Sequence, residues 1–226
     1  MLNKSLLLVM TKSPEQGKVK TRMQSRLSQQ QCVDLHIALT RYALFQWAEA
    51  NIGAIELWVG GNIELCHQQL SLDQHFPALP VYPQSSGDLG ERMLYAVSQH
   101  CLPSGASSTQ SVILVGTDCP WITEDYLNQA ANGLLEHDVV IGPAKDGGYV
   151  LLAMKNCHIG LFEDIEWGSD RVFSQTMSKV ATLGLSCLQL EALSDIDIPR
   201  DLALLSNQQF PKYLDQFSIF STTPLS

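Results

Sequence analysis

Short, wholly apolar runs alternate along the chain with longer stretches in which apolar residues recur every three or four positions. Leu6-Leu-Leu-Val-Met10, Val112-Ile-Leu-Val115 and Val139-Val-Ile141 are continuous apolar runs too short for helices. They have the pattern of strands covered on both faces, as in a parallel sheet. Ile55-Glu-Leu-Trp-Val59, closed by Gly60-Gly61, is a second strand, and Leu79-Pro-Val-Tyr82 a short third. Tyr149 to Met154 follows Val139–Ile141 closely, and Leu185 to Leu190 is a further strand. Between them, Ser28 with Gln31 forms a capping box that opens a helix to about Ala50. Asp88 and Glu91 cap a helix to about His100, and Thr123 caps one from about Glu124 to His137. Val172, Phe173, Thr176, Met177 and Val180 make a helical stripe ended by Gly184, and Pro199 opens a short helix reaching Leu205. The alternation predicts an α/β fold with helices on both faces of a mainly parallel sheet, made mixed by the closely spaced strands after Val139. One domain over residues 1–226 is expected, with a surface loop from Pro103 to Ser111 and a loosely held tail over 206–226.

Composition narrows the function. A net charge of −9 argues against a general nucleic-acid binder or a membrane-surface protein. No apolar run is long enough to span a membrane. The positive charge is unevenly placed: six of the 14 Lys and Arg lie between Lys4 and Arg26, and only Arg41 and Arg92 occur from Leu27 to Ala144. An acidic chain with a basic first loop suits a small anionic ligand. The 6 cysteines are scattered without a CxxC pair, which fits a reduced, cytoplasmic protein.

Five stretches carry candidate chemistry. Asp118 stands where Gly116 and Pro120 end the central strand, the carboxyl edge at which open α/β sheets place ligands. With Thr123 available as the helix cap, Asp118 is free for a metal. In the first loop, Thr11 to Arg22, there is neither a P-loop nor a GxGxxG. Lys20 and Arg22 can still grip phosphate oxygens, with Lys12 and Gly17 as further nucleotide contacts. The second loop, Gln84 to Arg92, offers Gly90 and Arg92 to the nucleotide at a helix N-terminus, or else is a plain capped turn. Asp146-Gly147-Gly148 is either a hairpin turn or a turn that faces an acceptor. In Asp195-Ile-Asp197-Ile-Pro199, Asp197 either caps the next helix or supplies a second oxygen ligand to a hard cation. Trp121 and Trp167 are candidate walls of an acceptor pocket. A Cys119 nucleophile has no identifiable His partner.

Thr11-Lys-Ser-Pro-Glu-Gln-Gly-Lys-Val-Lys-Thr-Arg22, Gly116-Thr-Asp-Cys-Pro120, Asp146-Gly-Gly-Tyr149, Ile165-Glu-Trp-Gly168 and Asp195-Ile-Asp-Ile-Pro199 occur in this order over nearly the whole chain. The ordered set resembles a bacterial family of glycosyltransferase-A-type proteins in the nucleotide-diphospho-sugar transferase superfamily. That family is similar to 2-phospholactate guanylyltransferase and molybdenum-cofactor guanylyltransferase. The resemblance implies a three-layer αβα, GT-A-like nucleotide-binding fold. It further implies a divalent cation, Mg²⁺ or Mn²⁺, on Asp118 and less securely on Asp197, with Lys20 and Arg22 on phosphates. The glycine-rich G-x-G-T-R loop and the D-x-D of many relatives are absent.

Two readings follow. In the first, a metal-dependent transferase takes a nucleoside triphosphate or nucleotide-sugar donor and an unidentified small-molecule acceptor, by nucleotidyl transfer or by glycosyl transfer with Asp146 as base. In the second, the same fold is a non-catalytic nucleotide- or partner-binding module.

Overall fold

The computed structural model describes residues 5–50, 52–101 and 111–206, so the loop expected at Pro103 to Ser111 and the tail at 206–226 lie almost wholly outside the described residues. The strands are β1 (Leu6–Lys12), β2 (Ile55–Gly60), β3 (Val81–Pro83), β4 (Val112–Gly116), β5 (Val139–Pro143), β6 (Tyr149–Met154) and β7 (Cys187–Gln189). They form one seven-stranded sheet in the order β3-β2-β1-β4-β6-β5-β7. Every neighbouring pair is parallel except those made by β6, which runs antiparallel to both β4 and β5. The sheet is therefore mixed, as the strand spacing predicts.

The helices are α1 (Gln29–Glu49), α2 (Ile63–Leu70), α3 (Leu72–His75), α4 (Leu89–Ser98), α5 (Glu124–Glu136), α6 (Val172–Thr182) and α7 (Leu202–Ser206). Capping boxes at Ser28/Gln31 and Asp88/Glu91 start α1 and α4, and Thr123 accepts from Tyr126 N to start α5. Successive strand residues point to opposite faces, and here both faces are apolar. Leu7, Val9, Ile113 and Val115 pack with Leu44 and Trp47 of α1 and Leu127 and Leu134 of α5. Leu6, Leu8, Val112 and Leu114 pack with Met93 and Val97 of α4 and Val180 of α6. A third cluster joins Met23, Leu35 and Leu39 to Ile196, Leu202 and Leu205, which clamps the end of the described chain onto α1. Among the described residues no helix is long and apolar enough to cross a membrane.

The pattern in the sequence does not predict α2 or α3. Asn62 caps α2 by accepting from Leu65 N, and within α2 only Cys66 and Leu70 are buried. That stripe is too narrow to read from the sequence.

Candidate functional site

The carboxyl ends of β1 and β4 lie side by side, with Met10 opposite Gly116, so Thr11 near the end of β1 meets Thr117 just beyond β4, and Asp118 follows. Their hydroxyls are 3.3 Å apart, Thr40 of α1 donates to Thr117 at 3.1 Å, and all three residues are buried. His36 of α1 lies alongside, its Nε2–H donating to the Lys12 carbonyl at 2.9 Å. Burial pushes the His36 imidazole below its ordinary value, against the pull of Asp118. A neutral polar layer thus supports Asp118 from below.

Above this layer opens a cavity of about 640 Å³. Its rim is built by three loops, those after β1 and β3 and the turn between β5 and β6, together with the segments before α6 and after β7. Lys12, Lys18, Lys20, Arg22 and Arg92 line it, as do Asp118, Asp146, Asp170, Asp195 and Asp197. Gln84 closes the edge by donating to the carbonyls of Thr11 and Trp58, each at 2.9 Å.

Lys20 does not stand free for a phosphate. It adopts a left-handed backbone with φ 48°, which turns its side chain inward until only 2% is exposed. Its Nζ lies 2.6 Å from Asp118 Oδ1 and donates to the Ile196 carbonyl at 2.5 Å. Ile196 N in turn donates to the Asp118 carbonyl at 2.9 Å. Lys20 therefore staples the end of β4 to the Asp195–Asp197 segment and brings the two acidic stretches together. The Asp118 side chain remains 48% exposed although Oδ1 is buried, so the exposure falls on the rest of its carboxylate. Burial pushes Asp118 up, but the Lys20 ammonium outweighs it and holds the carboxyl below its ordinary value.

Arg22 lies on the surface, its side chain 66% exposed, with Nη1 2.6 Å from Asp197 Oδ2. Asp197 does not cap the following helix. That task falls to Asp201, whose Oδ2 accepts from Asp197 N and Ile198 N. Asp195, the carboxylate two residues before Asp197, faces the cavity too. Burial first, and then Asp146, Asp197 and Asp118, push its carboxyl up to about 6. A signal was present in the sequence: residues two apart on an extended segment share a face, so Asp195 is expected wherever Asp197 points.

The Asp146 turn is a hairpin turn whose aspartate also lines the cavity. Asp146 Oδ1 accepts from Gly148 N at 2.9 Å, as a turn aspartate does. Gly147, at φ 98°, lies so close to the segment before α6 that a Cβ there would fall 2.1 Å from the Asp170 carbonyl oxygen. This contact seats Asp170 and the Trp167 loop beside Asp146. Asp170 carried no signal in the sequence.

Several expected contacts fall elsewhere. Gly17 is an exposed turn glycine at φ 72° that does not line the cavity. Gly90 is buried in the first turn of α4, and its missing side chain makes room for Trp167. Trp121 packs against the apolar clusters, whereas Trp167 lines the cavity and meets Tyr149 edge-on at 6.3 Å. Cys119 is buried and its thiol is pushed up to about 12, so it is no thiolate nucleophile.

A Cβ on Gly90 would come within 2.4 Å of Trp167 Nε1. In Gly90→Ala the indole is expected to leave the cavity wall, seen as a changed near-ultraviolet dichroism and tryptophan emission. The net stability change should stay within about 1 kcal/mol, because alanine restores helix propensity. An unchanged aromatic spectrum would show that the indole does not rest there.

No curated protein matches the chain in sequence. Among solved structures, a provisionally named nucleotide-diphospho-sugar transferase from Desulfovibrio desulfuricans G20 is 27% identical. The match covers 96% of this chain and 92% of that one, with a TM-score of 0.80. The 4-diphosphocytidyl-2C-methyl-D-erythritol synthase from Anaerococcus prevotii DSM 20548 is 12% identical, over 91% and 96%, with a TM-score of 0.58. Rv0371c from Mycobacterium tuberculosis H37Rv, solved in complex with manganese, is 13% identical, over 91% and 100%, with a TM-score of 0.55. The mixed αβα fold is thus that of the nucleotide-diphospho-sugar transferases. Residues 23–169, which include Asp118, Asp146 and Trp167, match the sequence profile of uncharacterized proteins conserved in bacteria (DUF2064), and the chain belongs to that family.

Proposed function

We propose that the protein is a metal-dependent transferase that binds a nucleoside triphosphate or nucleotide sugar in this cavity and passes the nucleotidyl or glycosyl group to a small-molecule acceptor. The observation that carries the reading is the meeting of the basic first loop with the carboxylates at the sheet edge, joined by the Lys20–Asp118 and Arg22–Asp197 pairs. The similarity to the Desulfovibrio structure and the manganese complex of a protein with the same fold support it.

The donor set suits Mg²⁺ or Mn²⁺. Asp118 and Asp197 offer hard oxygen ligands, and Mg²⁺ typically takes one or two carboxylates plus substrate phosphates. The upward push on Asp195 from its acidic neighbours is an electrostatic crowding that a cation relieves. When bound, the cation supplies charge neutralisation for the departing phosphate oxygens. The rest falls to side chains. Arg22 and Lys12, both exposed, hold the donor phosphates, and Arg92, whose Nε donates to the Gly87 carbonyl at 2.9 Å, presents the rest of its guanidinium to the cavity. Lys20 acts on Asp118, keeping it ionised and in place. Asp146 receives the acceptor's proton. Six free thiols suit a reducing compartment, and we place the reaction in the cytoplasm.

A thermal-shift screen of nucleoside triphosphates and nucleotide sugars, with and without Mg²⁺ or Mn²⁺, tests the reading. A ligand at one hundred times its Kd adds about 2.7 kcal/mol to stability, so a rise of several degrees is expected with the true donor only when metal is present. No shift with any nucleotide would overturn the transferase.

A further inference from the structure

The cavity is electrically divided. Lys12 and Lys18 of the first loop and Arg92 of α4 stand on the side of β3, β2 and β1. Asp146, Asp170 and Asp195 stand on the side of β6, β5 and β7, and the two ion pairs from Lys20 and Arg22 bridge the halves. Among the described residues no cation pairs with Asp146, Asp170 or Asp195. Arg171, next to Asp170, is committed to Glu166. In the N-terminal turn of α6, Phe173 N is already engaged, donating to the Gly147 carbonyl at 2.8 Å. The apolar surface of this half comes from Trp167 and Tyr149.

Building on the transferase reading, we infer that the acidic half receives an uncharged, hydroxyl-bearing acceptor, which makes the transferred group a glycosyl unit from a nucleotide sugar. A phosphorylated acceptor, which diphosphate-forming nucleotidyl transfer needs, has to bring its charge beside Asp195 and beside Asp146 and Asp170, which no cation pairs, and like charges in a part-buried cleft repel strongly. A protonated amine would take those carboxylates as counter-ions and arrive without an electron pair to donate. A neutral polyol meets neither obstacle: its hydroxyls donate to the carboxylates while its C–H face rests on the indole. In the step itself, the acceptor oxygen forms a bond to the anomeric carbon as the bond from that carbon to the diphosphate oxygen breaks. The nucleoside diphosphate leaves with the electron pair, and the hydroxyl proton passes to Asp146.

Saturation-transfer NMR on the protein loaded with Mg²⁺ and a nucleoside diphosphate tests this without knowledge of the natural acceptor. The probes are matched pairs: glucose and glucose 6-phosphate, glycerol and glycerol 3-phosphate, inositol and inositol monophosphate. Transfer to the neutral member, at least tenfold weaker to its phosphate, is expected, with the preference shrinking severalfold in Asp170→Asn. Transfer to the phosphate alone, to both equally, or to neither overturns the inference. The parent reading fails separately, by the loss of metal-dependent nucleotide binding before any acceptor is added. With nucleotide sugars, Mg²⁺ and the neutral probes, release of nucleoside diphosphate agrees with the inference. Pyrophosphate release from triphosphates with the phosphorylated probes contradicts it.

Discussion

Asp118→Ala is expected to lower the unfolding free energy by about 3 kcal/mol, and adding Lys20→Met is expected to restore most of that stability without restoring donor binding. The reason lies in where Lys20 is held. Its ammonium, on a side chain 2% exposed, keeps only the Ile196 carbonyl once Asp118 is gone. Stranding a buried charge typically costs about 3–5 kcal/mol, and the lower end applies because Asp118 is half open to solvent. Removing both charges takes away the stranded group, so the pair is strongly non-additive. Urea unfolding of the two single variants and the double variant measures the stability, and thermal shift with metal and donor measures the function. If Asp118→Ala is as stable as the parent, the staple is wrong. If the double variant still binds donor in a metal-dependent way, Asp118 is not the metal's ligand.

Asp195→Asn is expected to stabilise the metal-free protein at neutral pH and to leave it unchanged near pH 4. Burial and the neighbouring carboxylates raise Asp195 from 3.8 to about 6, so the folded protein holds a proton that the unfolded chain releases. Folding is then penalised above pH 6, and the penalty fades as pH falls toward the unfolded value. A difference of about two pH units corresponds to about 3 kcal/mol at most. The gap between variant and parent should open from about pH 4 to pH 6 and stay constant above. A gap that is flat with pH would show that Asp195 is not crowded. Added Mg²⁺ should close the gap in the parent, because a cation favours the ionised form.

What the sequence made legible follows from which interactions are local. The capping boxes at Ser28 and Asp88 and the cap at Thr123 are contacts within three residues, and all form as predicted. The strands written as continuous apolar runs, β1, β4 and β5, also stand, because both their faces are buried. Three carboxylates, Asp118, Asp146 and Asp197, were legible as ends of strands or turns, and all line the cavity. The interior position of Lys20 was not legible. A lysine in a polar loop reads as solvated, and the left-handed turn, the Asp118 carboxylate and a carbonyl acceptor 176 residues away draw it inside. Asp170 reaches the site through the close approach of Gly147, a contact between segments that no local pattern encodes. The insertion of β6 beside β4 was equally hidden, since spacing announces a hairpin but not which of its strands lies inside.

The reach of Lys20 to Ile196 has a consequence for assembly during synthesis. The strands β1 to β4 and helix α1 leave the ribosome long before residue 196, and a growing chain folds from its N-terminal part first. Until Ile196 arrives, Lys20 has no carbonyl to meet, and until Leu202 and Leu205 dock on Met23, Leu35 and Leu39, that segment has no anchor. A nascent chain arrested short of these residues carries most of the sheet and no assembled acidic cleft, so the cleft is completed only as the last part of the described chain closes.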